Sequence, residues 1–151
     1  MKQRKTIAVL VGTPDGFFHS KCLSGIIRQA KKLDYNVAVF SAFTLSDDRS
    51  KHQIGEENIF NLIKSECIVG TVFVDYSFWA DTVRQKVLDM VCEIPGFNMI
   101  ILDNEGKRGF EGVFANDRVG FSQVVDHLIE EHGFKDIICL TGSDEYPIAH
   151  V

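Results

Sequence analysis

A chain of 151 residues, 45% of them hydrophobic and 25% charged, is long enough to bury one core and too ordinary in composition to be disordered or fibrous. Its net charge of -5 at pH 7 supplies no positive field to hold a polyanion, which excludes direct nucleic-acid binding through this chain. No run reaches the ~20 apolar residues of a membrane helix, and the N-terminus lacks the apolar stretch and cleavage site of a signal peptide. No membrane partner is expected, and the expected location is the cytoplasm.

Residues Lys5-Thr6-Ile7-Ala8-Val9-Leu10-Val11 form a short continuous apolar run that Gly12, Pro14 and Gly16 end, the pattern of a strand buried on both faces. Cys22, Leu23, Ile26, Ile27, Ala30 and Leu33 then recur at helical spacing, with Lys21, Arg28, Lys31 and Lys32 largely opposite. Asp34-Tyr35-Asn36 breaks this helix ahead of a second strand, Val37-Ala38-Val39-Phe40. The polar stretch from Ser41 to Gly55 reads as a solvated loop, followed by a short helix with Ile59, Phe60, Leu62 and Ile63 on its apolar side.

Thr71-Val72-Phe73-Val74 is the third predicted strand and ends in Asp75-Tyr76-Ser77. Trp79, Val83, Val87, Leu88 and Val91 predict a third helix, stopped by Pro95 and Gly96. Met99-Ile100-Ile101-Leu102 is a fourth strand ending in Asp103-Asn104, and Glu105 to Gly109 a turn before the short strand Gly112-Val113-Phe114-Ala115. Asn116 or Asp117 then caps a helix carrying Phe121, Val124, Val125, Leu128 and Ile129, which Gly133 terminates. A last strand is expected at Ile137-Ile138-Cys139-Leu140. Alternating strands and helices with short connections predict an α/β fold: an open, doubly wound parallel sheet of about six strands with helices on both faces, Rossmann-like or flavodoxin-like.

Ligands of such sheets bind at the carboxyl ends of the strands, beside the point where strand order reverses. Gly12-Thr13-Pro14-Asp15-Gly16 is not the glycine pattern of a dinucleotide site, and neither a phosphate loop nor a Gly-x-Ser-x-Gly elbow occurs. Asp75 at the end of the third strand raises an alternative, a self-contained receiver-like or other small α/β enzyme domain. A receiver needs further acidic groups to hold Mg2+, whereas the first strand ends in Gly12-Thr13 and the last in Thr141-Gly142. His127 and His132 lack the His-Glu-x-x-His spacing and read as solvated or packed side chains. Cys22, Cys67, Cys92 and Cys139 are scattered among apolar neighbours and read as small buried hydrophobes.

The strand ends therefore read as a binding site, with no catalytic residue, metal or cofactor. Phe17, Phe18, Tyr76 and Phe78 offer flat apolar faces there, and Asp15, Asp75, Ser77, Asp103 and Asn116 offer hydrogen-bond partners. A sugar- or nucleoside-like ligand, apolar on its face and polar at its edge, suits that mixture. Phe40, Phe60, Phe73 and Phe121 read as packing.

Lys5 to Val11, Gly16-Phe17-Phe18, Gly25-Ile26 and Asp34-Tyr35-Asn36-Val37 together resemble the start of the effector domain of lactose- and galactose-repressor (LacI/GalR-type) regulators. Gly112 to Gly120, His127-Leu128, Gly133 to Ile137 and Leu140-Thr141-Gly142 resemble that family's passage toward its lobe crossing. The family's Asp-Asn and Gly-His pairs are Asn116-Asp117 and Gly133-Phe134 here. The resemblance implies a type I periplasmic-binding-protein-like fold, with residues 1–142 as the N-terminal lobe and 143–151 as the start of a crossover to a second lobe. It further implies a small-molecule effector bound by Asp15, Phe17, Phe18, Asp75, Tyr76, Asp103 and Asn116, weakly or not at all by one lobe alone. Lobe closure would be passed to an output domain in a homodimeric parent protein, either transcriptional or, since Gly55 to Ile63 resembles versions of this sensor that precede one, a signalling module such as a diguanylate cyclase.

Overall fold

The computed structural model describes residues 4–42 and 50–140. The chain divides into two compact units, Met1–Phe114 and Ala115–Val151. The first carries β1 (Thr6–Leu10), α1 (Phe17–Lys32), β2 (Asn36–Phe40), α2 (Lys51–Glu57), β3 (Ile68–Val74), α3 (Asp81–Cys92), β4 (Met99–Leu102), β5 (Gly106–Lys107) and β6 (Phe110–Val113). These six strands form one sheet in the order β2-β1-β3-β4-β6-β5. Every pair is parallel except β5–β6. The fold is α/β with an open, doubly wound sheet, as the alternation of elements predicts.

Strand alternation sorts the core into two layers. Ala8, Leu10, Phe40, Phe73 and Ile101 point to one face, where Phe60, Ile63 and the α3 residues Val83, Val87, Leu88 and Val91 cover them. Val9, Val11 and Val74 point to the other, against Leu23 and Ile26 of α1. Ala8 through Val11 are fully buried, so the first strand is closed on both sides. Each large side chain in these layers contributes about 1.5–3 kcal/mol by leaving water. β1 has β2 on one side and β3 on the other, which places the reversal of strand order between β1 and β3.

Several local expectations change. The polar stretch before Gly55 is not all loop: Ser50 accepts the Gln53 N–H at 3.3 Å and starts α2 at Lys51. Residues 43–49 lie outside the described residues. Asn58–Lys64 is a 3-10 turn, in which positions three apart share a face. Phe60 and Ile63 are therefore buried together, while Leu62 is 55% exposed. Glu105 to Gly109 holds more than a turn, because Arg108 (φ 53) and Gly109 (φ 85) make the two-residue reversal that twisted antiparallel strands require. The β5–β6 hairpin follows from that reversal.

Trp79 is not on the third helix, which begins at Asp81. Phe78 takes the inward position, stacked on Phe73 with ring centroids 5.0 Å apart, and Ala80 is buried at the helix cap. Trp79 between them turns outward. Cys92 and Cys139 are exposed and Cys22 and Cys67 half-buried, against the expectation of four buried thiols. Cys92 follows inward-facing Val91 and so falls on the outer side of the helix end.

The second unit carries α4 (Asp117–Glu130). Gly133 (φ 66) donates to the Ile129 carbonyl and Phe134 to that of Leu128, the expected C-terminal cap. Phe121 is exposed, as are Val124 and Ile129, and so is not a packing residue within its own unit. Among the described residues of this unit α4 is the one helix, with no second element for its stripe to pack on. Residues 137–140 form no strand, and Ile138 and Leu140 are exposed. Residues 143–151, where the crossover is expected, lie outside the described residues, as do Thr141 and Gly142.

Candidate functional site

β1 and β3 leave the sheet side by side, and a short hydrogen-bond ladder stitches their outgoing loops together. The Gly12 N–H donates to Ser77 Oγ (2.9 Å), the Thr13 N–H to the Ser77 carbonyl (3.1 Å) and Thr13 Oγ1 to the same carbonyl (3.2 Å). Ser77 Oγ in turn donates to the Val74 carbonyl at 2.5 Å, and Ser41 Oγ donates to the Gly12 carbonyl at 2.6 Å. Ser77 is fully buried, so it braces the site instead of presenting a hydroxyl to a ligand. A Cβ at position 12 would come within 2.8 Å of Phe78 Cα. Glycine is needed there for the close approach of two loops.

An outer layer of rings stands on this brace. Trp79 Nε1 donates to Thr13 Oγ1 at 3.2 Å, and His19 Nδ1 lies 2.8 Å from the Thr13 carbonyl, which requires the proton on Nδ1. The Phe18 ring meets His19 edge-on at 5.8 Å. Trp79, Thr13, His19 and Phe18 thus form a continuous chain of contacts across the β1–β3 switch point. Phe17, Phe18 and Trp79 are 82%, 50% and 68% exposed. The Lys21 ammonium lies 5.6 Å from the Phe17 ring centre. Asp15 is exposed on the same loop.

Behind the rings, Asp75 closes β3 with no solvent exposure. Its Oδ2 accepts from Asn104 Nδ2 and Lys107 Nζ, both at 2.9 Å, and Arg84 lies 3.7 Å away. Arg84 also pairs with Asp81. Asn104 Oδ1 accepts the Gly106 N–H at 3.2 Å, and Lys107 Nζ lies 6.0 Å from the centre of the half-buried Tyr76 ring. Arg108 at the hairpin tip reaches Asp89, and Gln85 at 2.9 Å, on α3. The hydrogen bonds that Arg108 donates, first to Asp89 and then to Cys92, hold its guanidinium above its ordinary value. Asp75 thereby anchors the hairpin from below, and Arg108 clasps it from the side.

Of the other expected site residues, Asp103 is half-buried after β4 with its backbone in the left-handed region (φ 67), and its N–H donates to the Val113 carbonyl at 2.7 Å. Burial, and then the Asp103 carboxylate, push the Cys22 thiol of α1 above its ordinary value. Asn116 belongs to the second unit, where its Oδ1 accepts the Val119 N–H at 3.1 Å and caps α4. Phe78 belongs to the core. Trp79 is the site residue that helical periodicity conceals; its one signal is the alternation of Phe78, Trp79 and Ala80 in the extended stretch before the helix.

Exposed rings over a rigid polar brace suit the face of a small ring compound. Among the described residues no three His, Cys, Asp or Glu side chains gather as a metal set. No helix of the described residues is long and apolar enough to cross a membrane. No family model, no curated protein and no solved structure matches this chain.

Proposed function

We propose that this chain is a small-molecule-sensing lobe of the LacI/GalR type, taking a sugar- or nucleoside-like ligand at the carboxyl ends of β1 and β3. The observation that carries this reading is the pair of exposed rings Phe18 and Trp79, linked to the Thr13–Ser77 brace through His19 and directly, with exposed Phe17 next in the chain, at the point where strand order reverses. That crevice is where open α/β sheets bind ligands, and aromatic faces give a sugar or base its apolar contact. Asp15 supplies a polar edge, and Asp75 acts from beneath by fixing the hairpin. A second lobe would close over the ligand and pass the motion to an output domain, in a cytoplasmic, dimeric parent protein.

The surroundings of Asp75 argue against a phosphoacceptor. Its neighbours are the cations of Lys107 and Arg84 and the Asn104 amide, a setting that repels Mg2+. Its complete burial closes the line of attack on an acyl phosphate.

Thermal unfolding against a panel of pentoses, hexoses, nucleosides, and Mg2+ with acetyl phosphate tests the reading. A ligand of the folded state stabilises by about 2.7 kcal/mol at a hundredfold excess over its Kd. One lobe alone holds the ligand weakly, so the expected result is a raised Tm with one sugar or nucleoside only at high ligand concentration, lost in Phe18→Ala. A rise with Mg2+ and acetyl phosphate, abolished by Asp75→Asn, would overturn it.

A further inference from the structure

The last turn of α4 and the residues after it bring together two histidines that lie five apart in sequence. On a continuous helix such positions point in different directions, because each residue advances the face by about 100°. Here the helix ends at Glu130, the Glu131 N–H bonds the His127 carbonyl at 3.0 Å, and Gly133 turns the chain back. His132 swings over the final turn, and its Nε2 lies 3.1 Å from His127 Nε2. The rings stand at 84° with centroids 4.8 Å apart, and Phe134 stacks on His132 at 5.7 Å.

We propose that His127 and His132 form a two-nitrogen chelate for a late first-row divalent ion such as Zn2+, Ni2+ or Cu2+. Two metal–nitrogen bonds of about 2.0–2.1 Å spanning the 3.1 Å gap subtend an angle of about 100° at the ion. That angle lies between the cis positions of an octahedron and those of a tetrahedron, so either geometry accepts the pair. The metal-free contact already sets one nitrogen's N–H against the other's lone pair, and ring rotation aims both lone pairs at a shared ion. For both Nε2 atoms to ligate, the donor ring loses its Nε2 proton to solvent while its Nδ1 takes one up. A neutral pair therefore releases no net proton.

Imidazole selects these ions over Mg2+ and Ca2+. Two protein ligands leave at least two positions to water or to a further group, and both rings are exposed. The ion is consequently exchangeable. The site rests on the second unit alone and is independent of the sensing reading.

Histidine-ring nitrogen–proton NMR of the whole chain, titrated with ZnCl2, tests it. Equimolar Zn2+ moves the His127 and His132 ring signals together and converts the donor ring to its Nδ1–H tautomer. His127→Ala and His132→Ala each weaken Zn2+ binding at least about tenfold, Phe134→Ala weakens it less, and His52→Ala leaves it unchanged. Unmoved His127 and His132 signals at equimolar Zn2+, or undiminished affinity in both alanine variants, would overturn the proposal. The signals of the unsubstituted protein decide the matter even if a variant folds poorly.

Discussion

The Lys107 ammonium lies 2.9 Å from Oδ2 of Asp75, a carboxylate with no exposure to solvent. This pair ties a two-stranded hairpin at the sheet edge to the end of a central strand. Removing the cation leaves a buried anion short of a partner, whereas removing the anion leaves a lysine already one-third exposed and free to turn to water. Lys107→Met is therefore expected to cost about 1–3 kcal/mol, Asn104 and Arg84 absorbing part of the loss. Asp75→Asn is expected to cost less, and the double variant less than the sum, as urea unfolding of the full cycle would measure.

Gly12 has no room for a side chain where the β1 and β3 loops meet. Gly12→Ala is predicted to destabilise by about 1–3 kcal/mol, since the obstacle is the backbone of Ser77 and Phe78 and not a movable side chain. The same substitution pushes the Thr13 anchor away from Trp79. The emission of Trp79, the chain's single tryptophan, should shift with the change in Tm.

The Cys22 thiol is held above its ordinary value by burial and then by the Asp103 carboxylate. A raised value means less thiolate at a given pH, so Cys22 should alkylate slowly at mildly alkaline pH. Asp103→Asn removes the electrostatic part and should speed alkylation at Cys22, followed peptide by peptide in mass spectra. The solvent-exposed Cys139 serves as an internal reference whose rate stays constant.

Much of the fold is legible in the sequence because the central strands are buried on both faces and therefore read as unbroken apolar runs. Thr6–Leu10, Met99–Leu102 and the α1 stripe follow from that directly. The misreadings share a cause, which is that local patterns do not reveal which neighbour an element finds. Leu62 fits a helical stripe but stands on a 3-10 turn. Phe78 and Trp79 exchange places because Phe73 offers a stacking partner to only one of them. Ile137 to Leu140 has the composition of a strand and forms none. The switch-point position of Phe17 and Phe18 is readable from strand order alone, whereas the His127–His132 contact depends on a chain reversal at Gly133 that spacing rules do not describe.

The central claim is that a small ring compound binds over Phe18 and Trp79 at the ends of β1 and β3. Backbone-amide and tryptophan-indole NMR shifts, recorded while sugars and nucleosides are titrated to high concentration, test it most directly. The account predicts shifts confined to Gly12–His19 and Tyr76–Trp79, including the Trp79 indole proton that Thr13 holds, and lost in Phe18→Ala. Shifts clustered elsewhere, for instance along the outer face of α3 from Asp81 to Glu93, would contradict it.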